Sequence, residues 1–463
     1  MSAELTGVAR RRFLLPLALA QFICSFAGSN MNVMINDISD DLDTNVQGVQ
    51  LAITSFLLIM AILMIPASKL TDRWGRKRCF MGGLVLYGIG ALLSALAPGL
   101  GILILGNSVF EGVGTALLIP PVYILTTIAF SNVTSRARAF GVISGLGGIG
   151  AAAGPLIGGL IATAISWRAA FIFQALVVLA IILLSRRMVD PLPADPTRPF
   201  DVVGAVLSAV GMFFVVLGIL QADSNGRLMA LLLALGAALL IGFFLYIRAR
   251  ERAGKEPLLS TRLFRNRVSN LALVTQNAQW LVLMGTSFTV AVYLQTVRGY
   301  NPIETGAIFT AATLGVLASS LAAERLARKR TQKTLILAGF ALTAAGIGLL
   351  IGLVWEWSNI VAFVPGLLLI GLGIGVMLTP SVNVVQSSWP EALQGEISGL
   401  SRSVSNLGST FGTAIAGTIL VANLAKGQYA LAMVSLGVVA VLGLVAALFL
   451  PATARPGRGA PTS

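Results

Sequence analysis

The sequence predicts a polytopic α-helical membrane protein, and three observations carry that class. The 463-residue chain is 56% hydrophobic and only 11% charged, with a mean hydropathy of +0.88, whereas soluble domains carry about a quarter charged residues. Apolar stretches of about 20 residues, each long enough to cross a bilayer as a helix, recur between short polar turns from end to end. No run alternates in the manner of an outer-membrane barrel strand.

Taken in order, the stretches centre near residues 24, 57, 89, 115, 150, 177, 211, 238, 282, 314, 343, 370, 410 and 440, which predicts about fourteen helices. The first begins "RRRFLLPLALAQ", a basic start with a signal-like Ala-Leu-Ala. Its apolar run continues past Gln21 to about Val33, so an uncleaved first span is expected. With both termini cytoplasmic, only Arg168, Arg227, Arg298 and Lys426 fall outside, leaving 28 of the 32 basic residues, Arg402 among them, on the inner side. That asymmetry orients the chain by the positive-inside rule and requires an even number of spans. The expected location is the cell membrane.

The net charge of +14 does not indicate nucleic acid here, because the cations sit in loops beside spans. There is no histidine, which removes histidine metal sites, Ser-His catalysis and histidine proton relays. Cys24 and Cys79 fall in separate spans, so no disulfide framework is expected. No cofactor, metal or enzymatic constellation is predicted. "GLGGIG" (145–150) satisfies G-x-G-x-x-G, but it follows no strand and lies inside a span, so it marks no nucleotide site.

Two motifs repeat in order. "DRWGRKR" (72–78) returns as "ERLARKR" (324–330), pairing Asp72 with Glu324 at an offset of 252, and "GAAAGPLIGG" (150–159) returns as "GSTFGTAIAG" (408–417) at an offset of 258. The chain therefore reads as two homologous halves, an arrangement in which transporters place the substrate path between the halves. The expected division is an N-terminal six-helix half over 1–190, two inserted helices and a loop over 191–268, a C-terminal six-helix half over 269–452, and a tail over 453–463.

"KLTDRWGRKR" (69–78) resembles the signature loop of the major facilitator superfamily, G-x-L-A-D-R-x-G-R-K-x, with Ser68 in place of the first glycine. "GAAAGPLIGG" matches the fifth-helix antiporter motif G-x-x-x-G-P-x-x-G-G, and "ISWRAAF" (165–171) also fits. With fourteen spans, the chain resembles the fourteen-helix drug:proton antiporters of that superfamily over nearly its whole length. The resemblance implies a cytoplasmic gate at Asp72, Arg73, Gly75, Arg76, Lys77, Arg78 and Glu324. The second copy looks degraded, with Leu326 and Ala327 where a glycine would fall. A purely topological anchor would need the cations alone, not Asp72. The resemblance also implies that Gly150, Gly154, Pro155, Gly158 and Gly159 shape the outer half of a cavity. In physical terms, Pro155 bends the helix, and glycines four residues apart let a neighbour approach closely. Ordinary tight packing is the alternative.

Glu111, in "GNSVFEGVG", is the single carboxylate of the 18 near the middle of a predicted span. A charge there costs at least about 2.5–3.5 kcal/mol, and such residues usually line a pathway or carry protons. A protonated Glu111 bonding a neighbouring helix is the alternative. Asp37, in the acidic loop "NDISDDLDT" (36–44), lies close enough to the first span to assist proton or cation entry. The chain departs from the family in two places. Ser108 and Glu111 stand where the fourth helix of relatives carries R-x-x-Q, and Ala27 stands where the first helix carries an acid. Uncharged cavity candidates are Asn30 and Asn32, the "QNAQW" run with Gln276, Asn277, Gln279 and Trp280, and Asn383. Interhelical bonding is the competing role for each amide. The basic 248–267 loop is expected along the inner leaflet, touching anionic lipid.

The expected function is secondary transport by alternating access: proton-driven export of a lipophilic, cationic compound, by a monomer, with protons and membrane lipids as the other partners. An uncoupled exporter of lipids or lipophilic metabolites is the first alternative, and a non-transporting membrane sensor the alternative from another class.

Overall fold

Short polar residues cap the helices and glycine or proline breaks them, and this punctuation sets fourteen long helices in the computed structural model. It describes residues 7–451 apart from 131–132, 191–193, 198, 222–224, 357–358, 391–392 and 423–425. The helices are α1 (Gly7–Asn30), α2 (Val46–Trp74), α3 (Arg76–Ala95), α4 (Leu100–Ala129), α5 (Val133–Ala164), α6 (Trp167–Ser185), α7 (Val202–Ile219), α8 (Gly226–Arg252), α9 (Arg267–Val297), α10 (Pro302–Lys329), α11 (Gln332–Glu356), α12 (Phe363–Ser387), α13 (Gln394–Ala422) and α14 (Lys426–Leu448). Each expected centre falls inside one of them. Among the described residues, twelve are long and apolar enough to cross a membrane. α5 joins them as a bent pair, broken by 44° between Ala151 and Ala153, one turn before Pro155, where proline removes a backbone bond. α13 is long enough, but its Ser401, Arg402, Ser403, Ser405 and Asn406 dilute its hydropathy.

N-caps follow the side-chain chemistry that satisfies free N–H groups. Asn45 accepts from Gly48 N at 2.9 Å, Asp201 from Gly204 N at 3.0 Å, and Asn266 from Val268 N and Ser269 N. Asn301 and Glu304 form a reciprocal capping box at α10.

Helix packing repeats. α1 packs on α5 and α6, α2 on α4, and α3 on α4 and α6. The corresponding later helices pair in the same pattern: α9 on α13 and α14, α10 on α12, and α11 on α12 and α14. The two sets meet where α2 crosses α13 and α5 crosses α10, with α4–α13 and α5–α12 alongside. α7 and α8 pack on each other, and α7 flanks the α2–α13 seam. Only 11% of the apolar stretch of α8 is covered by protein, which leaves the rest for lipid.

The segment after α8 departs from expectation. Its apolar residues Leu258, Leu259 and Leu263 are buried in the bundle, Leu258 N donates to Asp201, and Ser260 N donates to Glu396. The face expected against lipid is consumed by the protein itself.

Candidate functional site

Glu111 ends a run of π-helical turns over Ile104–Glu111 within α4, a distortion that costs helix geometry and frequently marks functional sites. Its residue is fully buried. Gly90 of α3 makes the room, since a Cβ there would sit 2.8 Å from Glu111 Cγ. Tyr87 and Ser94 face the carboxylate, yet their protons go elsewhere: Ser94 Oγ donates to Gly90 O at 2.9 Å, and Tyr87 bonds Gln174. Neither carboxylate oxygen has a hydrogen-bond partner among the described residues. Ser108, where relatives of the resembled family carry arginine, donates to Ala52 O of α2 at 2.8 Å. Glu111 thus has no resident counter-ion in its own helix.

A narrow polar cavity lies between the two sets of helices. Gln21 of α1 and Ser144 of α5 face Gln276, Gln279 and Trp280 of α9, Ser381 of α12 and Arg402 of α13. Three of the expected cavity residues, Gln276, Gln279 and Trp280, therefore converge there. Asn277 instead donates to Val404 O at 2.8 Å, tying α9 to α13. Asn30 is buried against Gly154 and Gly158, and Asn32 O accepts from Gln295 at 2.7 Å. Asn383 is half-buried and not part of the lining. Arg402 is the largest correction: expected in an inner loop, it lies within α13, 8% exposed, with its guanidinium 4.3 Å over the Tyr123 ring. The basic residues available to the inner loops fall to 27 accordingly. A second narrow cavity, mainly apolar, lies between Pro155 of α5 and Phe309, Val316 and Ile370 of α10 and α12.

Two ends close this interior. At the basic end, Gly75 (φ +94°) joins α2 to α3 in a conformation that side chains disfavour. Asp72 pairs with Arg76 at 2.7 Å. Asp190 accepts from Arg76 N and Lys77 N at 2.8 and 3.1 Å, capping α3. Lys77 Nζ reaches Arg186 O, while Arg73 and Arg78 are exposed. All of these contacts stay within residues 72–190. The link to the later helices comes from Lys69, which sits 2.9 Å from Glu396 of α13 and 3.0 Å from Glu256. The side chain of Glu324 lies outside the described residues. At the acidic end, a short helix (Ile35–Asp41) carries Asp37 and Asp41. Asp41 bonds Arg168 and, at 3.1 Å, Trp167 Nε1. Gln295 bridges to Asn32 O and Asn36 N, and Thr163 Oγ1 accepts from Ile303 N at 3.0 Å.

The glycine motif packs as its spacing requires. A Cβ on Gly150 would meet Phe22 O at 2.4 Å, on Gly154 Ser29 Oγ at 2.1 Å, and on Gly158 Asn30 Cβ at 3.0 Å, all on α1. Gly159 instead faces Pro302 O of α10. In α13, a Cβ on Gly408 or Gly412 would run into Asn277 O or Leu281 O of α9, the same relation one repeat later.

Lys69, Glu256, Glu396, Gln295 and Arg402 escaped the sequence reading because their roles depend on partners distant in sequence. The comparisons with known proteins agree with the geometry. The major facilitator superfamily model matches residues 17–413. The chain belongs to the major facilitator superfamily. It is a transporter rather than an enzyme. It is 29% identical to the puromycin resistance protein pur8 of Streptomyces alboniger over 90% of this chain and 84% of that one. It is 27% identical to the multidrug resistance protein Stp of Mycobacterium tuberculosis (88% and 75%), and 28% identical to a tetracenomycin C resistance and export protein of Streptomyces glaucescens (83% and 71%).

Proposed function

We propose that this transporter exports lipophilic drug-like compounds by alternating access and that proton entry through Glu111 drives it. The observation that carries the reading is a fully buried carboxylate with unpartnered oxygens in a π-distorted span. An uncompensated charge at that depth is expensive, and such residues usually line a pathway or carry protons. One proton falling through 100 mV releases about 2.3 kcal/mol, enough for a substrate gradient of 10- to 100-fold. Relatives named for drug resistance and export support the substrate class.

The division into 1–190, 191–268, 269–452 and 453–463 is supported by the repeated packing pattern, although 453–463 and the linkers noted above lie outside the described residues. We place the basic end in the cytoplasm of the cell membrane, with both termini there. The cytoplasmic gate then comprises the 72–78 knot, acting through α2, and the Lys69 bridge. Asp37 is assigned to proton entry at the opposite end. One chain carries both walls of the cavity, so a monomer suffices. An uncoupled exporter of lipid-like compounds is the second reading, and the apolar lining of the second cavity favours it.

The test is proton movement in oriented proteoliposomes on adding lipophilic compounds, wild type against Glu111→Gln. Substrate-triggered proton flux that disappears in the variant supports coupling at Glu111. Transport that persists unchanged in the variant assigns the protein to the uncoupled reading.

A further inference from the structure

Arg402 is a buried cation in the wrong place for a topological role. It sits eight residues into a 29-residue helix, roughly 12 Å along the axis from the start. No ion pair with a carboxylate is present among the described residues. Its contact with the Tyr123 ring is worth about 0.5–2 kcal/mol, less than the several kcal/mol that removing an ion from water costs. Glu111 is not the missing partner: neither of its carboxylate oxygens has a hydrogen-bond partner among the described residues, and no ion pair joins the two side chains there.

The groups around Arg402 are also short of partners. Gln276 Oε1 is engaged by Ser401 Oγ at 2.9 Å, which leaves Gln276 Nε2 as a free donor. Ser144 Oγ and Ser381 Oγ are buried and unpartnered as well. Gln276, Ser144 and Ser381 line the central cavity together with Arg402. Three donors and a guanidinium converge, against one unpartnered acceptor, Gln279 Oε1, and no described carboxylate in the lining. An anion satisfies this set, a lipophilic cation would be repelled by it, and guanidinium bonds to carboxylates are among the strong ones.

We infer that the central cavity binds the anionic group of an amphiphilic acid, with Arg402 as its counter-ion, so that the exported compound is a lipophilic acid or zwitterion rather than a simple cation. The inference rests on the cavity being the transport cavity. It concerns binding alone, so it can fail or hold independently of proton coupling through Glu111.

The test uses detergent-solubilised full-length protein and three probes of one shape: dansyl-glycine, its methyl ester, and dansyl-ethylenediamine. Energy transfer from tryptophan reports binding, and the loss of transfer in Trp280→Phe, with direct dansyl emission retained, locates it in the cavity. Wild type is expected to bind the acid at least about tenfold more tightly than the ester, with the amine weakest. Arg402→Gln should bind acid and ester alike, and Arg402→Lys should keep the preference for the acid. If Arg402→Gln fails to fold, wild type and Arg402→Lys decide on the same three probes. An ester or amine that matches the acid in wild type, a preference that survives in Arg402→Gln, or no binding of any probe overturns the inference. Glu111→Gln proton flux is measured separately, so either result can stand without the other.

Discussion

The two ends of the bundle are joined by different chemistry. At the basic end, a lysine of α2 spans to two carboxylates, one on α13 and one in the segment after α8. At the acidic end, Gln295 and Thr163 tie the same two sets of helices with uncharged hydrogen bonds, and the one ion pair there among the described residues, Asp41 with Arg168, stays within the first set. An ionic joint is strong while closed and leaves uncompensated charge once parted, so it acts as a threshold. Uncharged joints exchange their partners for water at little net cost, about 1 kcal/mol each. The asymmetry predicts that the acidic end opens the more readily of the two.

Removing Lys69 is the sharpest way to break that comparison. Lys69→Met leaves Glu396 half-buried beside an apolar neighbour, and losing one partner of a fully buried pair costs about 3–5 kcal/mol. With Glu256 largely solvated, about 1–3 kcal/mol is expected here, enough to move the resting population by about fivefold or more toward an open basic end. Distance measurements between spin labels on the basic ends of α2 and α13 should widen in the variant. The exchanged pair Lys69→Glu with Glu396→Lys should restore the wild-type distance. If the distances do not change, the 72–78 knot and not Lys69 holds this end.

Gln295→Leu comes next. It removes the bonds to Asn32 O and Asn36 N and lies in the π-turn that finishes α9. Loss of these contacts, about 1 kcal/mol net each, should raise labelling at the acidic end by a few-fold, without altering the basic end. A rise at both ends would mean that the two closures are rigidly coupled.

Much of this was readable in advance, for a physical reason. Fourteen apolar runs each specify one helix because backbone groups in lipid must bond within their own segment. The α1-facing glycines at 150, 154 and 158 follow from the four-residue period alone. Lys69 and Arg402 were different. Both are cations whose position in sequence suggests a loop, and only packing between halves gives one a pair of carboxylates and leaves the other without any. Asn277 illustrates the same limit from the other side. It sits beside Gln276 in the sequence, but a turn of 100° about the helix points it at Val404 O and away from the cavity.

The smallest effect expected is a difference in pH response within the acidic helix itself. The bond from Arg168 holds the Asp41 carboxyl below the usual carboxylate range, with a further contribution from Trp167. Burial, then the neighbouring Asp40 charge, pushes Asp37 above it. For Asp41 the folded state holds its proton less tightly, so its contribution is present above the unfolded value near 4 and is lost as pH falls through the lower folded value. For Asp37 the sign reverses: stability is greatest below the unfolded value and declines as pH rises through the raised folded value. At pH 7, Asp41→Asn should lower the melting temperature and Asp37→Asn should raise it, each by less than about 2 °C. Near pH 3 both differences should shrink, because both carboxyls are then becoming protonated whether folded or not. Thermal unfolding of the two variants at pH 7 and pH 3 separates the cases. An Asp37→Asn variant that is less stable at pH 7 would show that the charge on Asp37 supports the acidic helix, and would remove the reason for assigning it a proton-carrying role.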